Sequence, residues 1–239
     1  MVQIKKSSKN KYYDSKGKLL PGSTTVLSVL NKPALIEWAW KLGKDDIDYK
    51  KVRDVRASIG TCVHDCIEAI LLSKPLPDIS KFSSKDTEII LKAIENFNLW
   101  YLPRKKDIEI LEVECVMSSD IYGFGGTNDL LMKYKGVVTL CDFKTSKAVY
   151  EEHKIQQCSY KLLLEEKGYT IDKIMLLQVN EFGVHETYIN KTYIPLYTKI
   201  FLACLEIYKA QRALGAIDKN IRAKSSKYKN KIILPPTEF

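Results

Sequence analysis

Between residues 101 and 108 the spacing of apolar side chains changes, and that change limits the folds open to this chain. Before it, apolar residues recur at intervals of three and four. In YKKVRDVRASIGTCVHDCIEAILLS the positions Val52, Val55, Ile59, Val63, Ile67, Ile70 and Leu71 make one stripe of a long amphipathic helix, which PLPD ends. SKDTEIILKAIENFNLWY, residues 84–101, predicts another capped helix. Farther forward, PGSTTVLSVLNKPALIEWAWKLGKD predicts a short helix, a break near Pro33 and a second helix over residues 34–43. After the change, IEILEVECVMS, GTNDLLMKY and VVTLCDFKT read as three strands joined through glycine-containing turns. A helix follows at 151–167, with Ile155, Cys158, Leu162 and Leu163 on one side. KIMLLQVNE and VHETYI then read as a strand pair around Phe182-Gly183, and PLYTKIFLACLEIYKAQRALG as a helix closed by Gly215. Helices, three strands, a helix, one or two strands and a helix make an α/β chain with a helical front end.

Charges stand where such strands should be apolar. Asp142 and Lys144 are two apart, so on a strand they share a face, and burying them is costly without a purpose. Antiparallel pairing across the KYKG turn brings Asp129 toward Asp142. Two bare carboxylates at close range raise each other's pKa unless a cation lies between them. A hard divalent cation suits such oxygen ligands, Mg²⁺ or Mn²⁺ better than Zn²⁺. Lys144 can then orient or deprotonate a water, or steady charge developing on a phosphate oxygen.

Gly126-Thr-Asn-Asp129, then Asp142-Phe-Lys144-Thr145, then Gln156-Gln-Cys-Ser-Tyr160 on the next helix resembles the RecB-like branch of the PD-(D/E)XK nuclease superfamily. The upstream GTCVHDCIE is similar to that branch's Gly-x-x-x-His helix, at Gly60 and His64, and GSTTVLSVL…LIEWAWKLG to the opening of phage-encoded and mitochondrial genome maintenance-type exonucleases. The resemblance covers residues 20–210 and, through that opening, suggests a viral origin. It implies a restriction-endonuclease-like αβββαβ core with a mixed central sheet at 106–215, preceded by a helical region at 1–105 and followed by a basic tail at 216–239. It also implies a metal held by His64, Asp129, Asp142 and the backbone carbonyl of Phe143. Glu114 would be a further ligand or a group supporting one, preferred to Glu112 because its strand leads directly into the Asp129 segment. Asp129, Asp142 and Lys144 would be catalytic, with Gln156, Tyr160 and Thr145 contacting substrate. The implied activity is metal-dependent exonucleolytic hydrolysis of DNA from its ends, single strands above all, in replication, recombination or repair. Alternatives are a 5′-3′ duplex exonuclease, a Cas4-like nuclease without its cluster, an RNA nuclease, and a catalytically inactive DNA-binding recombination module.

The net charge of +9 is concentrated at the ends. Residues 1–18 carry six lysines against one aspartate, and 219–231 carry six basic residues and no acid, which suits contact with a phosphate backbone. DNA is the expected partner, alongside a replication or recombination protein of unspecified kind. Iron–sulfur relatives group three cysteines near the chain end; here Cys204 is the last, so no cluster is expected. Cys62 and Cys66 lack a second Cys/His pair and read as packing rather than as a zinc site. Glu68, one turn beyond His64, reads as a partner of that imidazole or as a surface acid. Trp38, Trp40, Tyr49 and Tyr101 are candidates for stacking on bases. No signal-peptide pattern and no 18-residue apolar stretch is seen, so a cytoplasmic protein away from membranes is expected, in the host cytoplasm if viral.

Overall fold

In the computed structural model, which describes residues 11–229 and side chains as far as Lys219, two short strands pair antiparallel near the start, β1 (Tyr12–Tyr13) and β2 (Leu19–Leu20). A single-turn helix, α1 (Ser23–Val26), and a 3-10 turn at Leu27–Val29 lead to three longer helices. These are α2 (Pro33–Lys44), α3 (Tyr49–Leu71) and α4 (Ser84–Tyr101). Pro33 opens α2, where its missing N–H removes no helical bond. The Asp48 carboxylate accepts from the Lys50 N–H at the start of α3, and the Ser83 hydroxyl from the Asp86 N–H at the start of α4.

The alternating segments become a meander, β3 (Ile108–Ser119), β4 (Phe124–Tyr134) and β5 (Val137–Lys144), with antiparallel pairing throughout. Lys135 and Gly136 both have positive φ, 51° and 79°, in the two-residue turn between β4 and β5. That geometry matches the twist of the strands it joins. Helix α5 (Glu151–Glu166) crosses over to β6 (Lys173–Asn180), which is parallel to β5, and β7 (Gly183–Tyr188) returns antiparallel. The result is a mixed α/β fold around a five-stranded mixed sheet of order β3-β4-β5-β6-β7.

Helices cover both faces. On one, α3 and α4 bury Ile67, Ile90 and Phe97 against Leu130, Met132 and Leu177. On the other, α1, α5 and the last helix, α6 (Ile194–Lys229), bury Val26, Leu163 and Phe201 against Leu131, Leu140 and Ile174. Each face removes a layer of large side chains from water, at roughly 25 cal/mol per Å² of apolar surface.

Two expectations are corrected. Gly215 does not close the last helix, which runs on to Lys229. One interior glycine costs a helix only about 1 kcal/mol, and Ala213, Leu214 and Ala216 around it favour the helix. Tyr101 is buried and stacked on Phe97, with ring centroids 5.5 Å apart, so it is a core residue with no face open to a base. The lysines at 5, 6, 9 and 231 lie outside the described residues, as do the side chains of the other basic residues past Lys219. Among the described residues no helix is long and apolar enough to cross a membrane.

Candidate active site

Strands β3 and β4 turn over partway along their length. Residues two apart on a strand should share a face. Yet Val113 packs with α3 and α4, while Cys115 and Met117 pack on the opposite side of the sheet. Between them Glu114 has φ +50°, in the left-handed region that costs a side-chain-bearing residue about 1–2 kcal/mol. In β4, Phe124 faces α6 whereas Leu130 and Met132, of the same parity, face α3 and α4. Glu114 and Asp129 stand opposite each other at this crossing, bracketed by the pairs Val113–Leu130 and Cys115–Asn128.

Helix α3 brings His64 to the same place. Its second half buries Ile59, Val63, Cys66 and Ile67, and the imidazole flanks that stripe, edge-on to Phe143 with centroids 6.0 Å apart. Nδ1 of His64 is 3.4 Å from Oδ2 of Asp129. One ligating atom from each of His64, Glu114 and Asp129 lies within 4.8 Å of the other two. The close approach depends on Gly60, because a Cβ there would be 2.9 Å from Oγ1 of Thr145.

Asp142 and Lys144 form the other half. Oδ2 of Asp142 is 2.5 Å from Nζ of Lys144, and both side chains are largely withdrawn from solvent. The ammonium also donates to Oε1 of Gln156 at 3.4 Å, and Nε2 of Gln156 donates to the Tyr160 hydroxyl at 2.7 Å. Gly126 makes room for that tyrosine: a Cβ would come within 2.4 Å of its ring. The halves are joined by the Phe143 N–H, which donates to Oδ2 of Asp129 at 2.7 Å. The structure therefore brings His64, Asp129, Asp142, Phe143, Lys144, Gln156 and Tyr160 together. Thr145 lies at the adjoining strand end and Glu114 in the carboxylate–imidazole group.

The pKa values of the two carboxylates are shifted in opposite directions. Burial alone would raise the Asp129 pKa, but His64, Lys144 and the Phe143 N–H outweigh it and hold the value below normal. Asp142 is pushed up to about 6, by burial first and then by the negative charge of Asp129, against the pull of Lys144. Burial works against the charged forms of His64 and Lys144, yet the neighbouring carboxylates raise both. The atoms gathered within ligand range are the Glu114 and Asp129 carboxylates and the His64 imidazole, without a thiolate and without Asp142, whose carboxylate is turned to Lys144. Two carboxylates and an imidazole suit a divalent cation, with the buried Asp142–Lys144 pair beside them.

Other candidates lie elsewhere. Glu112 accepts from the Tyr169 hydroxyl at 2.9 Å, away from the cluster. Glu68 faces Lys74 at 3.9 Å. Cys62 and Cys66 touch each other in the core, and burial pushes the Cys66 thiol up to about 12. Trp38 packs edge-on against Tyr49, and Trp40 is exposed beneath the ammonium of Lys44, 4.5 Å from its ring centroid.

Sequence reading missed two contributors. His153, near the start of α5, has its pKa lowered to about 4 by burial and then by Lys144 and Lys32, and its Nδ1 accepts from the Tyr150 N–H at 3.3 Å. Its spacing of three from Gln156, one helical turn, was the available signal. Tyr12 lies over Gly125, where a Cβ would be 2.3 Å from its ring, and its hydroxyl is 3.2 Å from Oγ1 of Thr127. Nothing local in the sequence marks that contact between residues 115 positions apart.

No protein-family profile matches this sequence, and no curated protein sequence matches it. Among solved structures the chain is similar to an alkaline exonuclease, LHK-Exo, from Laribacter hongkongensis, with 10% identity and a TM-score of 0.40 over 87% of this chain and 93% of that one. LHK-Exo in complex with dAMP aligns at 12% identity and a TM-score of 0.37, over 70% and 84% of the two chains. SSO0001 aligns at 16% identity and a TM-score of 0.28, over 48% of this chain and 58% of that one.

Proposed function

We propose that this chain is a divalent-metal-dependent nuclease of the PD-(D/E)XK superfamily, RecB-like branch, hydrolysing phosphodiester bonds from DNA ends. The observation that carries this reading is one juxtaposition: His64, Glu114 and Asp129 gathered within ligand range, beside a buried Asp142–Lys144 pair. His64, Glu114, Asp129, Asp142 and the Phe143 carbonyl would hold a Mg²⁺ or Mn²⁺ ion, which when bound acidifies water and offsets charge on a phosphate.

The chain's own groups do the rest. The Lys144 ammonium, held by Asp142 and Gln156, would donate to the attacking water or to a non-bridging phosphate oxygen. Water oxygen bonds to phosphorus as the bond to the leaving sugar oxygen breaks, and the water's proton passes to solvent or to that leaving oxygen. Tyr160 holds the Gln156 amide, and so the lysine, in position. Thr145 and the helix α5 residues would contact the substrate backbone. Burial around Asp142 and Lys144 keeps bulk water from weakening these interactions.

Single-stranded ends are the preferred form in this reading, and the context is replication, recombination or repair. The test uses purified protein with 5′- and 3′-labelled single-stranded and duplex DNA, in Mg²⁺, Mn²⁺ or chelator, beside Lys144→Ala. Shortening from an end that needs the metal and disappears in the variant supports the proposal. Tight binding without cleavage in any metal would replace it with an inactive DNA-binding module.

A further inference from the structure

Lys144 ends a row of side chains that continues outward across the sheet. It pairs with Gln178 on β6, and Gln178 pairs with His185 on β7, so the three share one face. Where that row reaches the end of the β6–β7 hairpin, the surface sinks into a hollow of about 390 Å³, bounded by Lys147, Gln178, Asn180, Phe182, Val184 and His185. The hollow begins one strand away from the Lys144 backbone, about 4.8 Å. It lies at the carboxyl ends of the two parallel strands, where open α/β sheets bind their ligands.

Phe182 belongs to neither core and is 73% exposed, yet the frame around it is fixed. Its N–H donates to Oδ1 of Asn180 at 3.0 Å, and the Asn180 carbonyl accepts from Nδ2 of Asn96 on α4 at 2.9 Å. The loop that follows Lys144 is tied to the same frame, because the Ser146 carbonyl accepts from Nε2 of Gln178 at 3.2 Å and Nδ2 of Asn180 at 3.5 Å. That loop places Nζ of Lys147 5.6 Å from the Phe182 ring centroid. An exposed aromatic ring with a cation over it, on a rigid support, offers a base a stacking surface and the phosphate attached to that base a partner.

We propose that this hollow is a nucleobase subsite, in which the base of the nucleotide adjoining the scissile phosphate stacks on Phe182 while Lys147 pairs with that nucleotide's phosphate. The inference rests on the nuclease reading above and adds where the substrate lies. Stacking needs an unpaired base, so the subsite also accounts for a preference for single strands.

The test is steady-state cleavage of single-stranded DNA in Mg²⁺ by the full chain and its Phe182→Ala, Phe182→Trp and Lys147→Gln variants. A parallel binding series in chelator uses oligonucleotides with 2-aminopurine at successive positions from the end. Phe182→Ala should raise KM by about 5- to 100-fold with kcat within about twofold. Phe182→Trp should restore KM, and Lys147→Gln should raise it and flatten its dependence on salt. One 2-aminopurine position should be quenched by the wild-type chain and by Phe182→Trp, but not by Phe182→Ala. An unchanged KM in Phe182→Ala, or loss of its thermal stability, overturns the subsite while leaving the nuclease intact. A wild-type chain that cleaves no DNA removes the nuclease reading and the subsite with it.

Discussion

Helix α3 has two halves that share a backbone and little else. Residues 59–71 bury Ile59, Cys62, Val63, Cys66, Ile67, Ala69 and Leu71, and they hold His64 against the sheet. Residues 49–58 bury nothing among the described residues, and the preceding helix α2 buries nothing either, leaving Leu35, Ile36 and Trp40 open. One half is a mounting for a charged site, and the other, with α2, is an arm standing off the body. Burial is what holds ionised groups at fixed distances. It lowers the effective dielectric around them, so small displacements change their energies steeply. The arm has no such leverage, and substitutions in the two regions should differ in kind.

The sharpest test of that division is Asp129→Asn. The amide removes the charge that His64 and Lys144 pair with and that would hold a metal, so cleavage should fall by about 10³-fold or more in a single-turnover assay. Trp40→Ala on the arm should keep kcat within about twofold. Comparable losses in the two variants would break the comparison.

Metal binding gives the next largest effect, read as stability. Asp142 and His64 must lose their protons to bind a cation, so protons compete with it. A cation at about 100 times its dissociation constant should stabilise the chain by about 2.7 kcal/mol when both groups are deprotonated. The gain should shrink as pH falls through about 6, the value to which Asp142 is raised, by about 1.4 kcal/mol for each unit below it. Without metal, the signs oppose. The raised Asp142 contributes stability that is lost as pH rises from about 4 to about 6. His153, lowered to about 4, contributes stability that is lost as pH falls through that window. Removing the His153 contribution with His153→Gln should therefore make the metal-free melting temperature fall more with rising pH between about 4 and 6 than it does in the wild-type chain. A metal-induced gain independent of pH would remove Asp142 from the binding group.

The element order was readable because apolar period changes wherever helix gives way to strand. Asp129, Asp142, Lys144, Gln156 and Tyr160 were readable as a set, because their spacing follows from a hairpin and one crossover helix. Three features were not. Glu114 stood among the candidate ligands, but the left-handed φ that carries it to the site is one glutamate rarely adopts, and its residue type gave no warning of that conformation. The His153 pKa is lowered first by burial and then by Lys144 and Lys32, which come to it from distant parts of the chain. The apolar stripe of α3 ran evenly through Val52 and Val55, yet Val55 is 46% exposed. Periodicity identifies the face a helix can bury, and only the tertiary partner decides whether it does.

Glycine substitutions give the smallest effects and separate the regions by sign. Gly126→Ala would place a Cβ 2.4 Å from the Tyr160 ring, inside a packed layer where the helix above cannot retreat. Thermal or urea unfolding should show a loss of about 1–3 kcal/mol. Displacing Tyr160 also loosens Gln156, so kcat should fall together with stability. Gly43 in α2 has nothing within 4 Å of a new Cβ and is not at positive φ, so alanine there only reduces the freedom of the unfolded chain. Gly43→Ala should gain about 0.5–1 kcal/mol without changing cleavage. A loss at Gly43 would mean that the arm packs against something that residues 11–229 do not supply, and that α2 belongs with the mounted half of the molecule.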